Sequence, residues 1–240
     1  MTDDFASHVT GIAALAEPAR RALYEFVVAE PDAVSREQAA DGAGMPLHSA
    51  RFHLDRLVDD GLLEVEFRRL SGRTGPGAGR PSKLYRRADR QVSVSLPERR
   101  YDLAGDVLAE GVDEAVREGV AVQDAVHAAA GRAGRRLAAE AGAEMAASWG
   151  AGARGAARLT ELDRTAGVLA GYGYEPRIAD EVMTLSNCPF DRLAKQHTEL
   201  VCGLNLALVD GVVEGLGCTH LESSLDPQPD RCCVRTSGRR

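Results

Sequence analysis

The first third of the chain combines short helical patterns with helix-breaking residues. Apolar residues recur at helical spacing over residues 17–30, which predicts an amphipathic helix. Ser35 and Gln38 form the S-x-x-Q pattern of a capping box and predict the start of a second, short helix. Pro46 suits the first position of a third helix, and Gly61 is expected to end it. The predicted buried stripe of this third helix comprises Leu47, Ala50, Leu54, Leu57 and Val58.

A short helix, a glycine-containing turn and a longer helix together predict a helix-turn-helix, although an ordinary helical hairpin has the same pattern. Residues 62–70 and 82–86 have strand patterns around a glycine-rich tip at residues 72–79. Two strands with such a tip predict a wing that can approach a phosphate backbone closely. Residues near the start of the third helix would reach base edges in a major groove. The candidate DNA-contacting residues are His48, Ser49, Arg51, Phe52, Arg69, Arg73, Arg80 and Lys83.

The middle of the chain is rich in Ala, Glu and Arg and predicts two helices, over about residues 99–118 and 122–147. Small residues dominate the stripe of the second helix, so close helix packing is expected. These helices would either mediate dimerisation or pack within their own domain, and the pattern favours neither. Residues 150–155, GAGARG, predict a flexible connection. The two predicted stripes comprise Leu103, Val107, Leu108, Val112 and Val116, then Val122, Val126, Ala129, Ala133 and Leu137.

The last third of the chain mixes strand and helix patterns and predicts a small α+β unit. We expect a helix over residues 159–171 and a long helix over residues 197–217. A short helix is expected to start at Cys188, with Asn187 as its cap. The predicted strands are 174–179 and 182–186, which form a hairpin across Asp180–Glu181, and 219–225 and 232–236.

These patterns predict a mainly α fold with α+β character. Its parts are a winged helix-turn-helix domain over residues 1–95, a helical linker or dimerisation region over 96–155 and a cysteine-containing sensor domain over 156–240. No apolar run is long enough to span a membrane, and the acidic N-terminus does not resemble a secretory signal. We therefore expect a cytoplasmic protein without a membrane partner.

The charge distribution favours a nucleic-acid partner, although the whole chain has a net charge of −7. Residues 67–100 carry ten Arg and Lys against two carboxylates, a net of +8, while the remainder sums to −15. A local positive stripe can bind phosphates while the acidic remainder limits non-specific binding. A solvated surface loop is the alternative explanation.

All five cysteines lie within the last 53 residues. In a reducing compartment such clustering is typical of metal binding or redox sensing. Cys188 precedes a predicted helix, whose positive end would lower its pKa. Cys232 and Cys233 would point to opposite faces of a strand, so we expect only one of them to join Cys188 and Cys202. Cys218 is the fifth candidate metal ligand.

Two stretches resemble known families. The run HLDRLVDDGLLEVEFRRLSGRTGPGAGRPSKLYR, above all G-R-P-S-K-L-Y, resembles the winged-helix domain of ArsR-like transcriptional regulators of actinobacteria, over about residues 10–95. This resemblance implies a homodimer on a two-fold double-stranded DNA operator. N-C-P-F, L-V-C-G-L-N and P-x-P-x-R-C-C-V resemble the sensor end of the iron–sulfur repressors of the Suf operon, over about residues 160–235.

The second resemblance implies a [4Fe-4S] cluster held by Cys188, Cys202 and one cysteine of the Cys232–Cys233 pair, with Cys232 favoured. The fourth ligand is open. Cys218 is an addition to the family pattern and is either that ligand or a small buried residue. His197, His220 and nearby carboxylates are further candidates.

The sequence therefore predicts a transcriptional regulator whose operator affinity depends on an iron–sulfur cluster. The resemblance to the Suf regulators implies that it is a repressor. Widely separated thiolates suit a cluster better than a zinc ion, because structural zinc sites use short C-x₂₋₄-C knuckles. A regulator that senses thiol oxidation or a small ligand is the alternative. A thiol-dependent oxidoreductase is disfavoured, since the chain has no C-x-x-C, G-x-G-x-x-G or P-loop motif, and we expect no enzyme activity.

Overall fold

The computed structural model describes the backbone of residues 3–69, 81–149 and 159–239, and their side chains except those of residues 3, 4 and 143–149. The chain divides into two compact units, Met1–Val94 and Ser95–Arg240. Each unit has its own hydrophobic core. The predicted class, mainly α with α+β, is confirmed. No helix in the described ranges has the length and apolar character needed to cross a bilayer.

The first unit packs helices against a small antiparallel sheet with strand order β1-β3-β2. The predicted capping box is present, because the Ser35 hydroxyl accepts from the Gln38 N–H and the Gln38 side chain accepts from the Ser35 N–H. The two-residue strand β1 was not predicted, because it is too short to show alternation. The elements are α1 (Asp3–Ala14), α2 (Pro18–Ala29), β1 (Val34–Ser35), α3 (Arg36–Gly42), α4 (Leu47–Asp59), β2 (Leu63–Arg68) and β3 (Ser82–Arg87).

Helix α4 occupies the place of the predicted third helix, with two differences. Pro46 has extended backbone angles and caps the helix from outside instead of being its first residue. Ala50, Leu54 and Leu57 are fully buried as predicted, but Leu47 is 46% exposed. Leu47 is the first residue of the helix, and at this end the predicted apolar stripe is exposed to solvent.

The second unit has a four-stranded antiparallel sheet with strand order β4-β5-β7-β6. The predicted hairpin is present, and Asp180 and Glu181 take the positive φ angles of its turn. Helix α9 contacts α6 as well as β6 and β7. The elements are α5 (Tyr101–Glu118), α6 (Val122–Trp149), α7 (Glu161–Ala170), β4 (Pro176–Ala179), β5 (Val182–Leu185), α8 (Asp191–Gln196), α9 (Thr198–Gly215), β6 (Leu221–Leu225) and β7 (Val234–Gly238).

Helices α5 and α6, which were predicted either to mediate dimerisation or to pack within their own domain, belong to this second unit. The stripe predicted for α5 is correct at Val107 but wrong at Val112 and Val116, which are exposed. Small residues set the buried face instead: a Cβ on Gly111 would lie 2.7 Å from the Cα of Val126 in α6. Close backbone approach there turns the valines outwards. In α6 the predicted stripe is buried from Val126 to Leu137, whereas Val122 is exposed.

Candidate functional sites

The first candidate site is the exposed face of α4, the predicted recognition helix. His48, Arg51 and Phe52 are exposed near its N-terminal end, and Ser49 is half-buried. The Phe52 side chain is 66% exposed, and its ring packs edge-to-face on His53. An exposed aromatic ring on this face can contact a thymine methyl group. These four residues therefore lie on one accessible part of the helix.

The wing strands β2 and β3 pair over their full length, from Leu63 opposite Arg87 to Arg68 opposite Ser82. Arg69 is exposed just beyond β2. The predicted contacts Arg73 and Arg80, like the glycine-rich tip, lie outside the described residues. The stem of the predicted wing is therefore present, and its end carries the basic residue Arg69.

Lys83 has a different position from the one expected of a phosphate contact. Its ammonium group lies 2.5 Å from the Asp55 carboxylate of α4, and the Tyr85 hydroxyl donates to the same carboxylate over 3.2 Å. Partial burial opposes ionisation of Asp55, but its hydrogen bond with Lys83 prevails and lowers the pKa of the carboxyl group. Lys83 thus links the recognition helix to the wing.

The second candidate site is a group of four thiols in the second unit. Cys188 and Cys233 lie close enough to Cys232 to shift its pKa through hydrogen bonding between thiols, and Cys202 acts on Cys233 in the same way. Cys202, Cys232 and Cys233 are buried, while Cys188 is partly accessible and packs against the same core. The fold therefore brings sulfur atoms from three separate parts of the chain into one group at the hydrophobic core.

One of these four thiols is electrostatically distinct. Hydrogen bonds donated by Cys188 and Cys233 lower the pKa of Cys232 well below its ordinary value. The same hydrogen bonds, followed by burial, raise the pKa values of Cys188 and Cys233. The hydrogen bonds within the group thus favour negative charge on the Cys232 sulfur over charge on its neighbours.

Asn205 and Tyr174 complete the surroundings of that sulfur. The Asn205 side chain, only 1% exposed, donates its Nδ2–H to the Cys232 Sγ over 3.0 Å. The Tyr174 hydroxyl donates to the Asn205 Oδ1 over 2.5 Å, and Phe190 packs edge-to-face on the Tyr174 ring. Sequence patterns alone do not single out Asn205. It lies three residues after Cys202 in an otherwise apolar helix stripe, and that spacing places both on one helix face.

The predicted environment of Cys188 is wrong. Helix α8 starts at Asp191, and Asn187 makes no capping hydrogen bond to it. Because Cys188 lies ahead of the first turn of this six-residue helix, the helix dipole does not decide its protonation. The neighbouring thiol does, and it raises the pKa of Cys188 where a lowered value was expected.

Cys232 and Cys233 both belong to the thiol group, contrary to the expectation that only one could. They precede β7, which starts at Val234, so the alternation of side chains along a strand does not apply to them. The backbone N–H of Cys232 donates to the Leu185 carbonyl at the end of β5. This hydrogen bond places the pair beside the loop that carries Cys188.

Cys218 is not part of this group. It follows the C-terminal end of α9, whereas Cys202 lies near the start, and the helix between Cys202 and Gly215 spans about 20 Å at 1.5 Å per residue. The Cys218 sulfur lies 3.4 Å from an Arg164 nitrogen, and burial raises its pKa. The structure therefore separates Cys218 from the candidate ligand set.

The histidines considered as further ligands are both exposed. His197 directly precedes α9 and makes no side-chain capping hydrogen bond, and His220 pairs with Glu161 over 3.1 Å. Within the described residues, no group of three or more His, Cys, Asp or Glu side chains has the arrangement needed to hold a metal ion. The four thiols would have to exchange their mutual hydrogen bonds for bonds to a metal.

A helix-turn-helix domain family matches residues 15–66, from the end of α1 into β2. The match supports a DNA-binding helix-turn-helix domain in the first unit. It does not extend into the second unit. No curated protein and no solved structure matches the chain.

Proposed function

We propose that this DNA-binding transcriptional regulator is a repressor whose operator affinity is controlled by an iron–sulfur cluster, a [4Fe-4S] cluster, held by Cys188, Cys202, Cys232 and Cys233. The observation that carries the proposal is the convergence of these four sulfur atoms from distant parts of the chain. Buried thiols in a group are typical ligands of iron, zinc and copper.

The surroundings of the thiols fit such a ligand set. Thiolates are the form that binds metal, and the Asn205 N–H stabilises negative charge on the Cys232 sulfur. The buried rings of Tyr174 and Phe190 exclude water on one side of the thiols, whereas Cys188 is partly accessible and gives a metal ion access to them. When bound, an iron–sulfur cluster supplies a group whose charge and integrity depend on oxygen and redox state.

The proposed DNA contacts divide into two classes. His48, Ser49, Arg51 and Phe52 on α4 would contact base edges, whereas Arg69 and the wing residues Arg73 and Arg80 would contact phosphates. Lys83 would hold the wing against α4 through Asp55. We further propose a cytoplasmic homodimer that binds two half-sites about one DNA turn apart.

The proposal is tested by anaerobic reconstitution of the reduced chain with ferrous iron and sulfide. We expect an absorption band near about 400 nm together with bound iron and acid-labile sulfide. Cys202→Ser should lose the band, whereas the matched variant Cys218→Ser should keep it, because Cys218 lies at the other end of α9. A wild-type chain without the band, or equal loss in both variants, contradicts the proposed ligand set.

The DNA-binding part of the proposal is tested separately. Metal-free and reconstituted protein are compared in their binding to duplexes selected from a random library. Arg51→Ala should change sequence preference, whereas Arg69→Ala should weaken binding to all sequences and reduce the salt dependence. Equal operator affinity with and without bound iron would reject cluster control and leave the DNA-binding function standing.

A second candidate is a thiol switch without metal, which the direct contact of Cys188 with Cys232 favours. Two thiols and one hydrogen peroxide would give a disulfide and two waters, with both protons and both electrons passing to the peroxide. A peptide containing residues 188 and 232 joined by a disulfide, found after peroxide treatment of metal-free protein, would support this candidate. Equal operator affinity with and without the disulfide would reject this candidate.

A further inference from the structure

The loop that carries Cys188 is bound to the segment just before α5. The guanidinium group of Arg99 donates through Nη1 to the Asn187 Oδ1 over 2.5 Å and to the Cys188 carbonyl over 3.0 Å. The Arg100 backbone N–H donates to the Pro189 carbonyl over 3.2 Å. Three successive residues of the cysteine loop are therefore held by two successive residues of this segment.

Asn187 holds the same segment from the other side. Its Nδ2 donates to the Glu98 carbonyl over 3.1 Å and to the Gly173 carbonyl over 2.6 Å. Asn187 is buried, so these groups would be costly to leave unpaired. The side-chain amide is thus fully engaged between the segment, the loop before β4 and Arg99.

The position of this segment in the chain gives these contacts their significance. Residues 95–100 are the first residues of the second unit and follow directly on the DNA-binding unit, which ends at Val94. The Arg99 N–H donates to the Ser95 hydroxyl over 2.8 Å, so the segment is folded on itself. Glu98, Arg99 and Arg100 therefore contact the Cys188 loop directly, and Ser95 is joined to it through Arg99.

We infer that Arg99 and Asn187 are positioning residues that transmit the state of the thiol site to the segment joining it to the DNA-binding unit. The inference rests on the proposed function, which supplies a thiol site that changes state. Cys188 leaves its hydrogen bond with Cys232 when it binds a metal. Its main chain then shifts, and Arg99, which is bonded to the Cys188 carbonyl, shifts with it. Metal loading would thereby change the joining segment, which leads directly into the DNA-binding unit.

The first measurement is hydrogen–deuterium exchange of backbone amides at residues 95–100 in the full-length reduced chain. Three samples are compared: metal-free, reconstituted with ferrous iron and sulfide, and loaded with Cd²⁺ as a thiol-seeking ion. We expect exchange in this segment to change about tenfold on loading, which is within the usual range of coupling between sites. Unchanged exchange in both loaded samples overturns the inference.

The second measurement uses variants of the two positioning residues. Asn187→Leu and Arg99→Ala should keep most of the metal absorption but lose the exchange change and the difference in operator affinity between metal-free and loaded protein. Arg99→Lys, which keeps the charge and one donor, should restore part of both. If the two residues had only a structural role, their variants would lose thermal stability and metal loading. They would not show this selective loss of the exchange change and its partial rescue by Arg99→Lys. Variants that load metal and keep the full wild-type response overturn the inference.

The same experiment distinguishes failure of the cluster proposal from failure of the proposed transmission. If iron and sulfide give no absorption band but Cd²⁺ changes the exchange of residues 95–100, and Asn187→Leu abolishes that change, the cluster proposal fails and the transmission stands. If the band forms and operator affinity responds, but the variants respond as the wild type does, the cluster proposal stands and the transmission fails.

Discussion

At the scale of single residues, the thiol site depends on side chains that are not cysteines. Asn205 is the clearest case, because a buried amide in an apolar stripe must have partners for both its ends. It has them in the Cys232 sulfur and the Tyr174 hydroxyl. Sequence patterns can identify the thiols by clustering, but they cannot show which polar residue faces them.

Asn205→Leu should destabilise the reduced, metal-free second unit by about 1–3 kcal/mol, because the buried Tyr174 hydroxyl loses its acceptor. Urea unfolding followed by circular dichroism measures the effect. Tyr174→Phe alone should cost about 1 kcal/mol, and adding it to Asn205→Leu should cost little more, because the two groups form one pair. Additive losses would contradict the pair.

Asp55 gives a residue-scale prediction for the DNA-binding unit. Its pKa is lowered in the folded chain, so its ion pair stabilises the fold above the ordinary aspartate pKa of about 4 and stops doing so as the pH falls through the folded value. Lys83→Met should therefore lower the stability of the unit at neutral pH and flatten its loss of stability below about pH 4.

The test is to measure the unfolding midpoint of the first unit at a series of acidic pH values, with a probe located in that unit. Because both side chains are partly exposed, the loss at neutral pH should be modest, about 1 kcal/mol or less. Arg86→Met is the matched control, since its pair with Glu64 lies within the wing and does not join it to α4. An identical pH profile for Lys83→Met and the wild type would contradict the proposed link.

At the scale of elements, local patterns predicted most helices and the strand pairs, because capping boxes, prolines and hairpin turns act within a few residues. Ser35 at the start of α3 is an example. The patterns failed where tertiary contact decides the outcome. Val116 has the right spacing for burial on α5, yet it is 80% exposed because Gly111 brings α6 to another face. The strand expected at Cys232 starts two residues later, and this shift brings both cysteines into the site.

The contact between α6 and α9 shows how small residues determine helix packing. A Cβ on Gly134 would lie 2.1 Å from the Leu208 carbonyl oxygen, and one on Gly211 would lie 2.2 Å from the Gly131 carbonyl oxygen. The two backbones are almost in contact there, which no larger residue permits. Because α9 carries Cys202, this contact also fixes the position of one thiol.

Gly134→Ala should destabilise the second unit by about 3 kcal/mol or reduce metal loading, because the helices must separate to admit the methyl group. Gly142→Ala on the same helix is the matched control. A Cβ there meets no atom within 4 Å, so the substitution should stabilise the helix by about 0.5–1 kcal/mol. Thermal unfolding of both variants measures the difference, and equal effects would contradict the close approach.

At the scale of the whole molecule, the two units have separate cores and different chemistry. The first contains the helix-turn-helix and the wing, and the second contains all five cysteines. Residues 1–94 carry a net charge of −1, whereas residues 95–240 carry −6. An acidic unit attached to a DNA-binding one weakens non-specific binding through long-range repulsion, an effect that salt screens.

The separate cores predict that a fragment of residues 1–94 folds and binds DNA without any response to iron. At low salt it should bind random DNA more tightly than the full-length chain, because the acidic second unit is absent, and the difference should shrink above about 0.2 M salt, where screening is strong. Fluorescence anisotropy with a random-sequence duplex measures both affinities. The fragment of residues 95–240 should show the iron–sulfur absorption band and no DNA binding. If the first fragment responds to iron, or the second binds no iron while the full chain does, then the units do not divide sensing from DNA binding in this way.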